Sequence, residues 1–362
     1  MSNPSGGLVP MLRQAAGHFY TTATSRGRGR LFVQVIGALV GLGLLAWVIV
    51  KVVNNRETLD RLLHAPPHLL LALFGLSICS LLLNGLAFWI TLRPVKRIRI
   101  VDMLATNAVA SALSIPPLKL SVVWRLLIHS RRDQIPVLTI GAYLAANAVV
   151  VLAVVLPMGA AGLWRRQVDL AYALTSLAGV LAALGVVYTG ARAFAGEHGL
   201  ARIQRIAGVL RLRPLNRLLA SRAFARLHHA LAILSHAPTL FGAATVRAMD
   251  MLAQSSRFVI AATAVGVTIS FEKAVLVGSV FYIIGVASPA GALGSREGGS
   301  TLFADALNIA GTSRETYAVI VLAVSVTEMF VWTAGAGLSL LYLRPGRYFR
   351  AAQAQPAAPP NT

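Results

Sequence analysis

Cysteine is nearly absent from this chain. Cys79 stands alone within an apolar run, which excludes an internal disulfide, a thiolate zinc site and thiol redox chemistry. The eight histidines show no metal-ligand spacing, and neither a nucleotide-binding loop nor a nucleophile–base set is present. The expected protein is therefore not an enzyme and has no metal or cofactor. Charge is also scarce, at 12% of residues, and very uneven: 12 acids face 33 lysines and arginines, a formal net charge of +21. Nucleic acid is not the expected partner, because the basic residues sit in links between apolar runs, as cytoplasmic loops of membrane proteins do. No cleavable leader is expected either. Mostly polar residues with Arg13, Arg26, Arg28 and Arg30 precede a first apolar run long enough to span and stay.

What the chain has in quantity is apolar sequence. With 56% hydrophobic residues over 362 positions and a mean hydropathy of +0.70, the composition is that of a multi-span membrane protein. About 20 apolar residues cross a hydrocarbon core, and six runs meet that length: 31–53, 67–92, 137–164, 170–194, 237–268 and 317–343. Two further runs are interrupted. In 101–128 the break is Ser114-Ile-Pro-Pro-Leu-Lys119, and in 271–309 it is Ser288-Pro-Ala-Gly-Ala-Leu-Gly-Ser-Arg-Glu-Gly-Gly299. Adjacent prolines and clustered glycines end helices. In lipid such breaks are tolerated only where protein or trapped water satisfies the freed backbone groups, so both segments read as re-entrant hairpins lining a polar cavity. An extramembrane loop is the plainer reading of 288–299. The basic region 196–236, with seven arginines against Glu197, reads as short surface helices or a solvated loop, and 344–362 as a disordered tail.

Charge gives an orientation. If both hairpins return to the side they entered from, one face collects 21 lysines and arginines and the other seven, which places the 1–30 arm and both termini in the cytoplasm of a bacterial inner membrane. The expected fold is then all-α and polytopic, six spanning helices plus two re-entrant hairpins in an inverted 4+4 repeat, 31–164 followed by 165–343. Secondary transporters use this architecture and bind substrate where the broken segments meet.

Polar residues recur at helical spacing near the second break. Glu297, Thr301 and Asp305 are four apart; Arg247, Asp250, Gln254 and Arg257 recur at three, four and three; Glu328 lies within the last span. On the first hairpin the charges are Lys119 and Arg125. These groups cannot face lipid. One reading makes Arg296, Arg257, Arg247, Lys119 and Arg125 a clamp for an anionic head group. Glu297, Asp305, Glu328 and Asp250 would then orient them or carry a coupling proton, and Gly291 and Gly294 would permit the turn. The other reading is a set of ion pairs, Arg247 with Asp250 and Arg296 with Glu328 or Asp305, that holds helices in register. Asn84, Asn107 and Asn147 read as interhelical hydrogen-bonding residues. Gly37, Gly41 and Gly43 mark a close-packing face, used either by a homodimer seam or by a neighbouring helix.

The second break, with Gly291, Gly294, Arg296 and Glu297, following a proline-broken segment that ends in Arg125, resembles the flippase-like transmembrane family typified by the membrane region of lysylphosphatidylglycerol synthase. That family also includes a hopanoid-biosynthesis-associated membrane protein. The resemblance runs from about Leu31 to Leu343. It implies movement or binding of a phospholipid or an isoprenoid or hopanoid lipid, or else a non-transporting role beside a lipid-biosynthesis enzyme. The first motif departs from the family's Pro-Gly-Arg-x-Gly-Glu-x-x-Arg: Pro117, Lys119 and Arg125 are kept in kind, but the glycines are lost and Val122 stands at the glutamate. Nothing after Leu343 reads as the soluble aminoacyl-transfer domain of the full synthase, so lysine transfer is not expected.

Overall fold

In lipid a chain has no solvent partner for its peptide groups, so each apolar run closes its hydrogen bonds internally as a helix. The computed structural model describes residues 28–116, 120–165, 167–209, 224, 228, 232–287, 293–306 and 313–346, and among these it is all-helical. The helices are α1 (Arg28–Asn54), α2 (Arg56–Leu63), α3 (Pro67–Leu92), α4 (Ile100–Ala112), α5 (Leu120–Arg131), α6 (Val137–Arg165), α7 (Leu170–Phe194), α8 (Gly196–Val209), α9 (Ala237–Ala264), α10 (Phe271–Ala287), α11 (Ser295–Ala306) and α12 (Arg314–Leu343). Their ends carry ordinary signals. Proline opens α3, and Asp169 caps α7 by accepting the Tyr172 amide at 2.6 Å while also holding Arg165.

Four helices, α3, α6, α7 and α12, are long and apolar enough to cross a membrane, and α1 with α2 forms a fifth candidate bent by 84°. This is fewer than the six expected. The difference has a physical cause in α9: it is 28 residues long, but Arg247, Asp250, Gln254 and Arg257 lower its hydropathy, and all four are buried against other helices. The four arms α4, α5, α10 and α11 have 13, 12, 17 and 12 residues. At about 1.5 Å per residue none spans a core of roughly 30 Å. The arms of each broken segment pack on each other, α4 on α5 and α10 on α11.

At the centre α3 lies along α9. Around that pair the packings come in matched sets. α3 on α4 corresponds to α9 on α10, α4 on α12 to α10 on α6, and α6 on α7 to α12 on α1. The departure is α11, which also packs against α1.

That contact is made by glycine. Gly294 has φ +80°, and a Cβ there would sit 1.8 Å from the Gly41 carbonyl oxygen; one at Gly298 would sit 2.6 Å from the Leu44 Cβ. Gly41 therefore serves packing inside the chain, whereas Gly43 has nothing within 4 Å of its would-be side chain. Without a hydrophobic force between helices in lipid, such close approach is what holds them. Gly294→Ala combines a left-handed backbone with overpacking. It should cost about 2–4 kcal/mol, seen as a lower melting temperature of the detergent-solubilised protein, while alanine at Gly43 should leave melting unchanged.

Candidate functional site

The buried polar face of α9 meets a smaller one on α3. Asn84 Oδ1 accepts from Arg247 at 3.0 Å, Ser80 donates to Asp250 at 2.5 Å, and Ser77 Oγ lies 3.4 Å from Arg257. As residue numbers rise on one helix they fall on the other, so the pair is antiparallel and the two stripes are in register. Ser77, Ser80 and Asn84 stand three and four apart, a signal legible in the apolar run that is easily passed over because no charge accompanies it.

Ion pairs close the rest of the cluster. Arg247 donates to Asp250 at 2.7 Å and to the Tyr282 hydroxyl at 3.2 Å. Glu328 of α12 bridges two helices, taking Arg296 at 2.7 Å on one oxygen and Arg257 at 3.4 Å on the other. Glu297 accepts Arg296 Nε at 2.9 Å, the Ser325 hydroxyl at 2.7 Å and the Gly294 amide at 2.6 Å. Above this pair the Arg296 guanidinium lies 4.6 Å from the Phe281 ring centre and 5.2 Å from that of Trp332. The second break thus forms around one carboxylate: Glu297 caps its own turn and fixes the arginine beside it.

Arg125 is held differently. Its Nη2 donates to Asn107 at 2.6 Å, its guanidinium lies 3.8 Å over the Phe88 ring, and its buried Nη1 has no hydrogen-bond partner among the described residues. Among the described residues no carboxylate pairs with it. Arg125, Asn84, Asn147, Gln254, Tyr282, Arg296, Glu328 and Trp332 line one cavity of about 290 Å³, with Ser111, Ser114 and Ser121 from the first broken segment. Two of its lining residues, Val122 and Ala148, are exposed, so its rim is apolar and faces outward. The arrangement can take a small anion between Arg125 and the neutral hydroxyl and amide groups.

Of the residues singled out in the sequence, Arg247, Asp250, Arg257, Arg296, Glu297 and Glu328 come together, Arg125 joins them across the cavity, and Gly294 forms the turn. Asp305 does not join them. It sits at the exposed end of α11 paired with Arg314, about one helical turn beyond the buried Thr301 and two beyond Glu297. Lys119 and Gly291 lie outside the described residues. Sequence reading missed Tyr282, Phe281, Trp332 and Phe88, whose aromatic character in an apolar run carries no signal of its own.

The model of the family described as Lysylphosphatidylglycerol synthase TM region matches residues 34–345. No curated protein and no solved structure matches the chain. The chain belongs to that family and is a multi-pass membrane protein, built on a membrane domain linked to lipid biosynthesis and transport. Within it, Glu328→Ala leaves Arg257 and part of Arg296 buried without their counter-charge. A loss of about 3–5 kcal/mol is expected, measured as thermal denaturation in detergent with Glu328→Gln falling between the variant and the native protein.

Proposed function

We propose that the protein is an inner-membrane lipid transporter of the flippase-like kind that takes an anionic head group into the cavity between its two broken segments, with Arg125 as the direct contact. The observation that carries this reading is that Arg125 lines that cavity while its buried Nη1 has no hydrogen-bond partner among the described residues. Buried donors are almost always satisfied, and a guanidinium without a carboxylate is the natural partner of a phosphate. Arg247, Arg257 and Arg296 are already committed to carboxylates. They form a neutralised cluster, of which Arg296 lines the cavity, and do not grip the ligand. Lys119 and Gly291, which lie outside the described residues, are proposed from the sequence alone.

The outward-facing rim supports a lipid ligand, since acyl chains can stay in the bilayer while the head group enters. The matched packing of the two helix sets, the short arms and the loop charge bias together support six spans with two re-entrant hairpins in inverted repeats, both termini cytoplasmic. Family membership supports a lipid ligand as well.

Reconstituted vesicles loaded with NBD-labelled phosphatidylglycerol or phosphatidylcholine test the proposal by dithionite quenching. The native protein should move the anionic lipid in preference. Arg125→Gln should slow it by about tenfold or more, as loss of a charge-assisted hydrogen bond of roughly 1.5–3 kcal/mol requires. A native protein inert toward both lipids would favour a non-transporting subunit of a lipid-biosynthesis complex.

A further inference from the structure

The same face of α5 that carries Arg125 carries a second buried titratable group outside the ion-pair cluster. Arg125, His129 and Asp133 stand four residues apart and form one row. His129 is 1% exposed, and its Nδ1 lies 2.7 Å from the Asp133 carboxylate, whose side chain is 10% exposed. The opposite ring nitrogen, Nε2, is buried with no hydrogen-bond partner among the described residues. Across from it on α6, the Tyr143 hydroxyl and, one turn on, the Asn147 carbonyl oxygen are buried and unpartnered too. The Tyr143 ring stands edge-on to His129 at 5.6 Å and to Phe88 at 6.1 Å, and Phe88 carries Arg125 on its face.

Four polar groups are thus left open between α5 and α6: Arg125 Nη1, His129 Nε2, Tyr143 Oη and Asn147 Oδ1. Two of the residues, Arg125 and Asn147, also line the head-group cavity. One stray polar group is an oddity, but four on facing helices, donors and acceptors together, are groups that water or a ligand would satisfy, because groups this deeply buried hold water or ligand when they do not hold each other. We infer that a hydrated branch of the cavity runs between α5 and α6 to His129, and that His129 binds a proton there together with the anionic head group at Arg125. This inference rests on the anionic-ligand reading and adds the coupled ion.

The chemistry is a simple protonation. Asp133 accepts the Nδ1–H, which leaves Nε2 as the basic nitrogen. A proton from water bonds to Nε2, the Nδ1–H stays on Asp133, and the imidazolium so formed adds one positive charge to the row that ends at Arg125. Burial holds His129 below the ordinary imidazole range, opposed by Asp133 and reinforced by Arg125 and Arg132, so the ring is neutral near pH 7 until an anion enters. The other charged or titratable groups about it are Arg132, paired with Asp102 of α4, Lys96, which donates to the Asp133 carbonyl, and Tyr143 of α6. A bound phosphate diester lowers the positive potential of the row and so favours the proton; by reciprocity the proton favours the phosphate.

Calorimetry on the purified full chain with dihexanoylphosphatidylglycerol tests this at about pH 5.5 and about pH 8, either side of the ordinary imidazole range, in buffers of different ionisation enthalpy. Affinity should fall by roughly fivefold or more at the higher pH, and near neutrality a proton should be taken up with the lipid. His129→Gln should bind with the same affinity at both values, without uptake. Asp133→Asn should move the transition to lower pH, whereas a merely structural residue would weaken binding equally at both. Lipid binding with no proton uptake, or uptake that persists in His129→Gln, overturns the proton site while leaving the head-group site standing. Absence of lipid binding at both values overturns both.

Discussion

Glu328 is the constraint on which the centre of this protein depends. It takes Arg296 on one oxygen and Arg257 on the other, so a single carboxylate joins α9, α11 and α12. In water such pairs contribute little, but in a membrane an arginine is costly to bury without partners. The helices must therefore bring their charges together before they can bury their apolar sides. Everything else in the cluster follows: the α3 stripe closes on α9, Glu297 caps the second break, and Phe281 and Trp332 pack around Arg296.

The two broken segments are unequal in how their arginines are paired. In the second, Arg296 has Glu297 next to it and Glu328 opposite. In the first, the position where the family resemblance calls for glutamate is Val122, and Arg125 is left with an asparagine, an aromatic face and an open Nη1. The cavity consequently has a neutralised wall and, among the described residues, one cation without a carboxylate at its edge. That asymmetry lies within otherwise matched packing, since α4 with α12 and α10 with α6 make corresponding contacts.

Much of the helix plan was legible beforehand. Runs 67–92 and 170–194 coincide with α3 and α7 because proline, aspartate and charged links mark their ends. The polar stripe on α9 was legible from its spacing, and so was the role of Gly294, since only glycine accepts a φ of +80° against the Gly41 carbonyl. Asp305 was misplaced for an instructive reason. Helical spacing assigns it to the face of Glu297, but spacing contains no depth, and the end of α11 where it sits reaches the surface and Arg314.

By itself the sequence determined that the protein is helical, membrane-bound and interrupted at two glycine- or proline-rich points, because each of these follows from local composition and the cost of unpaired peptide groups in lipid. Which charges neutralise one another was decided only by the tertiary structure. Arg125, Arg247, Arg257 and Arg296 look alike along the chain. Their separation into three paired cations and one open one depends on which carboxylates the packed helices bring within reach.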